Sequence, residues 1–360
     1  MKMGKIMDIH SKFKTYHVTV NTSFDGLEQF EVDSNTMVVI DKKLFDLYGD
    51  RFFTRIPKNQ LILIEAVEEN KVIETALHIC EKMTIIPAKR NAKLISFGGG
   101  IVQDITGFAA NILYRGIQWT FYPTTLLAAC DSCIGGKTSL NYQSFKNLLG
   151  TFFPPDEIYI YTPFFKTLSE RDFESGLGEV VKFNVMYGDE GIRNMEDNIG
   201  ALLERDDATL DRFVNSSLQF KKKYIEEDEF DRGIRVHLNF AHTFGHAFEA
   251  TSHYAIPHGT AVAMGTIVAN RISLARGWLS EDKVVRIESL LWKIIHVDVS
   301  NMHVDMEAIL NAIHKDKKQT DSNITAVLML NDNMQLEVVH DVTGNEIKDA
   351  VNYLYRELTK

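Results

Sequence analysis

Between residues 36 and 125 the chain repeats one pattern: a short β-branched apolar run followed directly by a segment of helical periodicity. "TMVVID" (36–41) leads into "KKLFDLYGDRF", "QLILIEA" into "EENKVIETALHICEKM", "KLISF" into "GGG" and a further helix, and "QWTFYP" into "TTLLAACDS". A strand that is apolar at nearly every position has both faces covered, and helices that cross between parallel strands provide the cover. The repeat therefore predicts an α/β domain built on a parallel sheet. After about residue 163 the pattern gives way to long helical segments such as "ATLDRFVNSSLQFKKKYIEED" and "TAVAMGTIVANRISLARG". "ITAVLMLNDNMQLEVV" reads as a small hairpin and "GNEIKDAVNYLYREL" as a closing helix. The expected organisation is an α/β domain over 1–163 and a mostly helical domain over 164–360.

With 45% hydrophobic and 24% charged residues and only 7 prolines in 360, the composition is that of a globular chain. A net charge of -10 argues against nucleic acid or an anionic membrane surface as partner, since either calls for a positive face. No run approaches the ~18 apolar residues of a membrane span, and "MKMGKIMDIHSKFKTY" lacks the apolar core of a signal peptide, so the expected location is cytoplasmic. Three cysteines fit a reducing compartment. Cys130 and Cys133 form a CxxC, but without a second pair or a thioredoxin-like setting they read as structural.

"LNFAHTFGHAFE" (238–249) places His242, His246 and Glu249 on one helix face, the spacing of metal ligands. The metalloprotease pattern is not met, because Thr243 follows the first histidine where that chemistry needs a glutamate. His258, in "PHGTAVAMG", is positioned to project from the turn that opens the next helix; packed or surface histidines are the plainer alternative. "FGGGIVQD" (97–104) joins a strand to a helix, where backbone N–H groups can hold a pyrophosphate, although it is not GxGxxG and can equally be an ordinary turn. Lysines beside glycines and asparagines in "DSCIGGKTSLNYQSFKN" and "GLGEVVKF", with Lys221, Arg235 and "DKK" at 316–318, suggest an anionic ligand in an otherwise acidic chain.

Taken together, "GGGIVQDITGF", "YRGIQWTFYPTTLLAACDSCIGGKTSLN", "KNLLGTF", "GLGEVVKF", "DRGIRVHLNFAHTFGHAFE" and "HGTAVAMG" resemble, in order and spacing, the dehydroquinate synthase family of sugar-phosphate cyclases, from about residue 36 to 318. The resemblance implies NAD and a divalent metal, zinc or cobalt, held by Glu179, His242 and His258, with His246 as a substrate contact. It matches Gly98, Gly99, Gly100, Asp104, Thr124, Thr125, Lys146, Thr167 and Leu168 to the NAD side, and more loosely Asp41, Glu68 and Lys71. Lys137, Asn147 and Lys317 or Lys318 match a phosphate pocket. Lys221, Arg235 and Asn239 match the part of the site that holds a carboxylate, and Asp131 and Lys182 match groups near the reacting hydroxyls. Arg115 matches an arginine reaching the neighbouring subunit's substrate, which implies a homodimer. The implied reaction oxidises a hydroxyl of a heptulosonate 7-phosphate transiently with NAD, eliminates phosphate, returns the hydride and closes a carbocycle by aldol addition.

Three positions depart from the pattern near the site: Gln103 and Ala241 stand where glycine is usual, and Thr260 replaces a glutamate. These leave open a related cyclase acting on another sugar phosphate. A metal-dependent alcohol or glycerol-phosphate dehydrogenase shares the "HG" histidine but would accumulate NADH, and a non-catalytic descendant of the family is a third reading.

Overall fold

The computed structural model describes residues 5–87, 89–143, 145–298, 305–315 and 324–360. The chain divides into two compact units, Met1–Leu168 with Leu210–Phe230, and Ser169–Thr209 with Asp231–Lys360.

The first unit contains β1 (Lys5–His10), β2 (Thr15–Asn21), β3 (Thr36–Asp41), α1 (Lys42–Phe52), β4 (Leu61–Ile64), α2 (Ile73–Met83), β5 (Lys93–Gly98), α3 (Gly100–Ile112), β6 (Gln118–Pro123), β7 (Lys137–Tyr142), β8 (Phe145–Phe152) and β9 (Glu157–Tyr161). Seven strands form one sheet in the order β1-β2-β9-β6-β5-β3-β4, parallel except for the β1–β2 pair. Thr36 to Ile40 of β3 are buried in succession, which is why that run carries no polar alternation. From β3 the chain moves to the β4 edge, while β5, β6 and β9 lie on the other side. The connections after β3 and β5 therefore diverge, and such a switch point leaves a crevice at the carboxyl ends of the strands. Asp41 and Gly98–Gly100 stand at those ends.

Pattern reading missed β1, β2 and β9. Gly135 and Gly136, before Lys137, are buried at positive φ (98° and 65°), with the Gly135 N–H donating to the Tyr16 hydroxyl at 3.0 Å. They open a separate antiparallel hairpin, β7–β8. Asn141, Lys146 and Asn147 hide that hairpin in the sequence, because polar side chains occupy strand positions where a core-facing strand would alternate apolar residues.

The second unit holds α4 (Glu170–Met186), α5 (Asp189–Leu203), the start of α6 (Asp207–Glu227), α7 (His242–Thr251), α8 (His258–Ala275), α9 (Glu281–Leu291), α10 (Met306–Lys315), the hairpin β10 (Ile324–Met329) with β11 (Leu336–Val342), and α11 (Gly344–Leu358). The greater part of α6, from Leu210, belongs to the first unit, so the division falls later than residue 163 and is not a single cut. α8 is buried from Gly259 to Asn270 and packs against α4, α7, α9 and α11, which explains its lack of a polar face. Among the described residues no helix is long and apolar enough to cross a membrane.

Candidate active site

Three helices of the second unit meet backbone to backbone, and glycine makes this possible. A Cβ on Gly178 of α4 would stand 2.0 Å from the Gly259 carbonyl oxygen of α8, and one on Gly259 would stand 1.6 Å from that of Ser175. A Cβ on Gly265 of α8 would stand 2.4 Å from the carbonyl oxygen of Ala241, the residue that precedes α7. Glu179 follows Gly178, His258 precedes Gly259 and His242 follows Ala241, so close helix contact draws these three side chains together.

Glu179 is fully buried. Its Oε1 lies 3.5 Å from both His242 Nε2 and His258 Nε2, and its Oε2 is 2.6 Å from the Lys182 ammonium. A buried carboxylate is costly unless cations are held beside it; Lys182 supplies one at Oε2, and Oε1 faces the two histidines. The other ring nitrogens are engaged: His242 Nδ1 bonds the Phe240 carbonyl at 3.0 Å, and His258 Nδ1 bonds Glu249 Oε2 at 3.1 Å. This is the outer-shell pattern of metal-binding histidines, which aims both Nε2 atoms at one point. Two imidazole nitrogens and one carboxylate within 4.8 Å of one another fit a zinc- or cobalt-like cation with an open position. Burial opposes protonation of His258, but the carboxylates of Glu249 and Glu179 outweigh it and raise its pKa to about 10. His246, Glu249 and His258 form a second group of the same size, but there Glu249 is turned to His258 Nδ1. The His246 ring lies 5.4 Å from that of His242.

Lys182 is 2% exposed, and its ammonium also donates to the Leu238 carbonyl at 3.0 Å. Leu238 belongs to the 3-10 turn Ile234–Asn239, which carries Arg235, itself buried, and Asn239.

In the first unit, α3 begins at Gly100, immediately after β5. A Cβ on Gly99 would stand 3.0 Å from Thr125 Cγ2, and the Thr124 N–H donates to the Gly98 carbonyl at 2.9 Å. Asp104, one turn into α3, is 2.5 Å from the buried Lys71 ammonium and accepts from the N–H and hydroxyl of Ser139 at 3.1 and 3.0 Å. Burial pushes the Asp104 carboxyl up, against the pull of Lys71 and Ser139. Lys71 also donates to Asn147 Oδ1 at 2.7 Å, and the Ser139 hydroxyl oxygen lies 2.8 Å from the same atom. Asn141 donates to Glu68 at 2.8 Å and accepts from the Asn147 N–H, and Lys146 lies 3.6 Å from Glu68. Asn147, expected beside Lys137 in the phosphate pocket, thus directs its amide oxygen into the cluster expected on the cofactor side. Lys137 opens β7 and is exposed. Asp41 caps α1 by accepting from the Lys43 N–H, and the Thr167 hydroxyl pairs with that of Tyr48 at 3.1 Å, one residue before Leu168.

Asp131 Oδ1 is 2.9 Å from Lys221 Nζ, which also donates to the Asp131 carbonyl at 2.6 Å. Arg115 is exposed on a bend where Tyr114, Arg115 and Gly116 all have positive φ (52°, 67° and 109°). Lys317 and Lys318 lie outside the described residues. Cys130 and Cys133 are both buried, and burial pushes the Cys133 thiol up to about 12, the setting of an inert cysteine.

Sequence reasoning gave no role to Ser139 or Asn141, and it grouped Glu249 with His242 and His246 rather than with His258. The position of Glu249 three residues after His246 was a visible signal, whereas Ser139 and Asn141 are identified only once β7 is known to be a strand.

Two family models match the chain, 3-dehydroquinate synthase N-terminal over residues 61–175 and 3-dehydroquinate synthase C-terminal over 176–319. The 3-dehydroquinate synthase of Clostridium tetani is 37% identical over 344 residues, covering 93% of this chain and 91% of its own. That of Campylobacter jejuni subsp. jejuni serotype O:6 is 34% identical over 331 residues, covering 89% and 92%. Among solved structures, 2-epi-5-epi-valiolone synthase from Streptomyces hygroscopicus subsp. jinggangensis, with NAD+ and Zn2+ bound, superposes with a TM-score of 0.84 at 25% identity over 97% of this chain and 99% of that one. A 2-deoxy-scyllo-inosose synthase shares the fold, with a TM-score of 0.82 at 23% identity over 98% and 100%. The chain belongs to the 3-dehydroquinate synthase family.

Proposed function

We propose that the protein is a 3-dehydroquinate synthase, an NAD- and metal-dependent lyase that eliminates phosphate from 3-deoxy-arabino-heptulosonate 7-phosphate and closes its carbocycle. The observation that carries the reading is Glu179, a fully buried carboxylate that, beside its ion pair with Lys182, faces two histidines whose outer nitrogens are already engaged. When bound, NAD supplies a hydride acceptor that returns the hydride later, and the metal supplies a Lewis acid for substrate oxygens.

The chain's own residues bind, orient and move protons. Glu179, His242 and His258 hold the metal. Gly98–Gly100, Thr124, Thr125, Asp104, Lys71, Glu68 and Lys146 hold the dinucleotide, where the start of α3 offers backbone N–H groups to its pyrophosphate. Lys137 and Asn147 take the phosphate. Arg235, with Lys221 and Asn239, takes the carboxylate, and a buried guanidinium is well matched to that planar anion. Asp131 and Lys182 accept from and donate to the hydroxyls next to the reacting carbon, and His246 contacts the substrate beside the metal. Arg115 reaches the substrate of a second copy in a homodimer. Backbone in the left-handed region at both Tyr114 and Arg115 costs about 1–2 kcal/mol per residue, strain of the kind that collects at working sites. The acidic charge and a count of only three cysteines fit a cytoplasmic enzyme.

A second reading, a cyclase acting on another sugar phosphate, is favoured by Gln103, Ala241 and Thr260 and by the likeness to 2-epi-5-epi-valiolone synthase. Phosphate release from the heptulosonate phosphate, with NAD and a divalent metal and with absorbance followed for NADH, tests both. Phosphate without accumulating NADH is the expected result. No phosphate from this substrate, but release from another heptulose phosphate, would establish the second reading, and steady NADH would point to a dehydrogenase.

A further inference from the structure

Gln103 lies in the first turn of α3 and is 3% exposed. Its amide N–H donates to the Ser132 carbonyl at 2.7 Å, and its amide oxygen accepts from the Ser132 hydroxyl at 2.7 Å. Both ends of one buried side chain therefore engage a single residue in a different element. Ser132 closes the five-residue π-helix Ala128–Ser132, in which the Cys133 N–H reaches back to the Ala128 carbonyl at 3.0 Å. Such turns are rare, gather at functional sites and need outside support. Asp131, held by Lys221, sits immediately before Ser132, and Asp104, held by Lys71 and Ser139, sits immediately after Gln103. The glycine of the family pattern at position 103 has no side chain to make either bond.

We propose that Gln103 is a positioning residue, whose two hydrogen bonds to Ser132 lock the π-turn so that Asp131 meets the substrate hydroxyl in a fixed geometry. This rests on the assignment of Asp131 to the reacting hydroxyls. A displacement of about 1 Å at such a group costs on the order of 100-fold in rate, so a two-point hold one residue away has leverage on turnover.

Gln103→Met keeps length and volume but removes both bonds. Gln103→Glu is the rescue variant. As a neutral acid it donates its O–H to the Ser132 carbonyl and accepts from the Ser132 hydroxyl, whereas as a carboxylate it faces that carbonyl with like charge. Burial raises its pKa, which brings the change into the working pH range. Two quantities are read in the full-length protein: amide hydrogen exchange over residues 128–133, and kcat alongside NAD affinity.

Gln103→Met is expected to speed exchange over 128–133 at least about fivefold, the equivalent of one net hydrogen bond. It should lower kcat about tenfold and leave NAD affinity within about twofold. Gln103→Glu should match the unaltered protein at low pH and approach the methionine variant as pH rises, with kcat and exchange over 128–133 changing together. The inference is overturned if Gln103→Met exchanges at the native rate, if exchange accelerates while kcat holds, or if Gln103→Glu follows the methionine variant at every pH. Absence of phosphate release by the unaltered protein would sink the functional reading separately, and exchange over 128–133 would still decide whether Gln103 holds the turn.

Discussion

Substituting Gly178 by alanine tests whether close helix contact assembles the metal triad. The added Cβ would stand 2.0 Å from the Gly259 carbonyl oxygen and 2.4 Å from its carbon, whereas ordinary contact begins at 3.4 Å. Relief therefore requires α4 and α8 to part by about 1.4 Å, and backbone on both sides leaves no flexible group to give way. Because Gly178 and Gly259 adjoin Glu179 and His258, that movement falls directly on the distance between two ligands. Metal–ligand bonds of about 2.0–2.2 Å tolerate roughly 0.2 Å, so one of the three ligands is lost. At roughly 3 kcal/mol per ligand, metal affinity should fall on the order of 100-fold, and overpacking should destabilise the protein by about 1–3 kcal/mol. Competition with a chromogenic chelator measures the first effect, and thermal unfolding without metal measures the second. Gly200→Ala in α5 is the control: nothing lies within 4 Å of its Cβ, so helix propensity alone should add about 0.5–1 kcal/mol and leave metal affinity unchanged. A Gly178→Ala protein that bound metal within twofold of the native affinity would refute the reasoning.

Lys71→Met strands the Asp104 carboxylate and should cost about 3 kcal/mol of stability and at least tenfold in NAD affinity; adding Asp104→Leu should restore stability in chemical denaturation but not nucleotide binding. Ala241 has φ 71°, so Ala241→Gly should stabilise by about 0.5–1 kcal/mol, read as a rise in unfolding midpoint, and an unchanged or lower midpoint would exclude strain there. Hydrogen bonds from Arg276, with the capping-box bonds from Thr343, hold the Glu346 carboxyl down at about 2 from an ordinary 4.5. A depressed carboxyl contributes stability above its unfolded pKa and loses it as pH falls through 4.5 towards 2, so Glu346→Gln should cost about 1 kcal/mol near neutrality and progressively less in acid. Denaturation midpoints of the two proteins at pH 7 and pH 3 would decide it.

The parallel sheet was legible because β3 is buried in succession and β5 and β6 are buried over their last three residues, so each reads as a short apolar run leading into the next segment. α1 and α11 were read to the residue, since Asp41 and Thr343 mark their starts with capping side chains. The cluster of Glu179, His242 and His258 was half legible. His242 and His246 share a helix face by local geometry alone, whereas Glu179 comes from a helix some sixty residues earlier and is brought in by a glycine contact that no periodicity records. The β7–β8 hairpin was not legible, because its polar positions satisfy Lys71, Asp104 and Glu68 instead of alternating with a core. His246 looked by spacing like the natural second ligand, and only Glu249, by engaging the other nitrogen of His258, separates the two groups in the structure.

The first unit is not one stretch of chain: residues 210–230 complete it, and with them comes Lys221, the partner of Asp131. During synthesis Asp131 emerges from the ribosome with its partner still unmade. About 60 further residues separate Leu168 from Phe230, which at roughly 5–20 residues per second is about 3–12 s of waiting. In that interval the segment that carries Lys221 is not yet available to Asp131, and residues 169–209, which carry Glu179, must leave the exit tunnel before the first unit can be completed. Translation speed between codons 169 and 230 therefore bears on the yield of folded enzyme, and a fragment cut at residue 168 is an incomplete unit rather than a free-standing nucleotide-binding module.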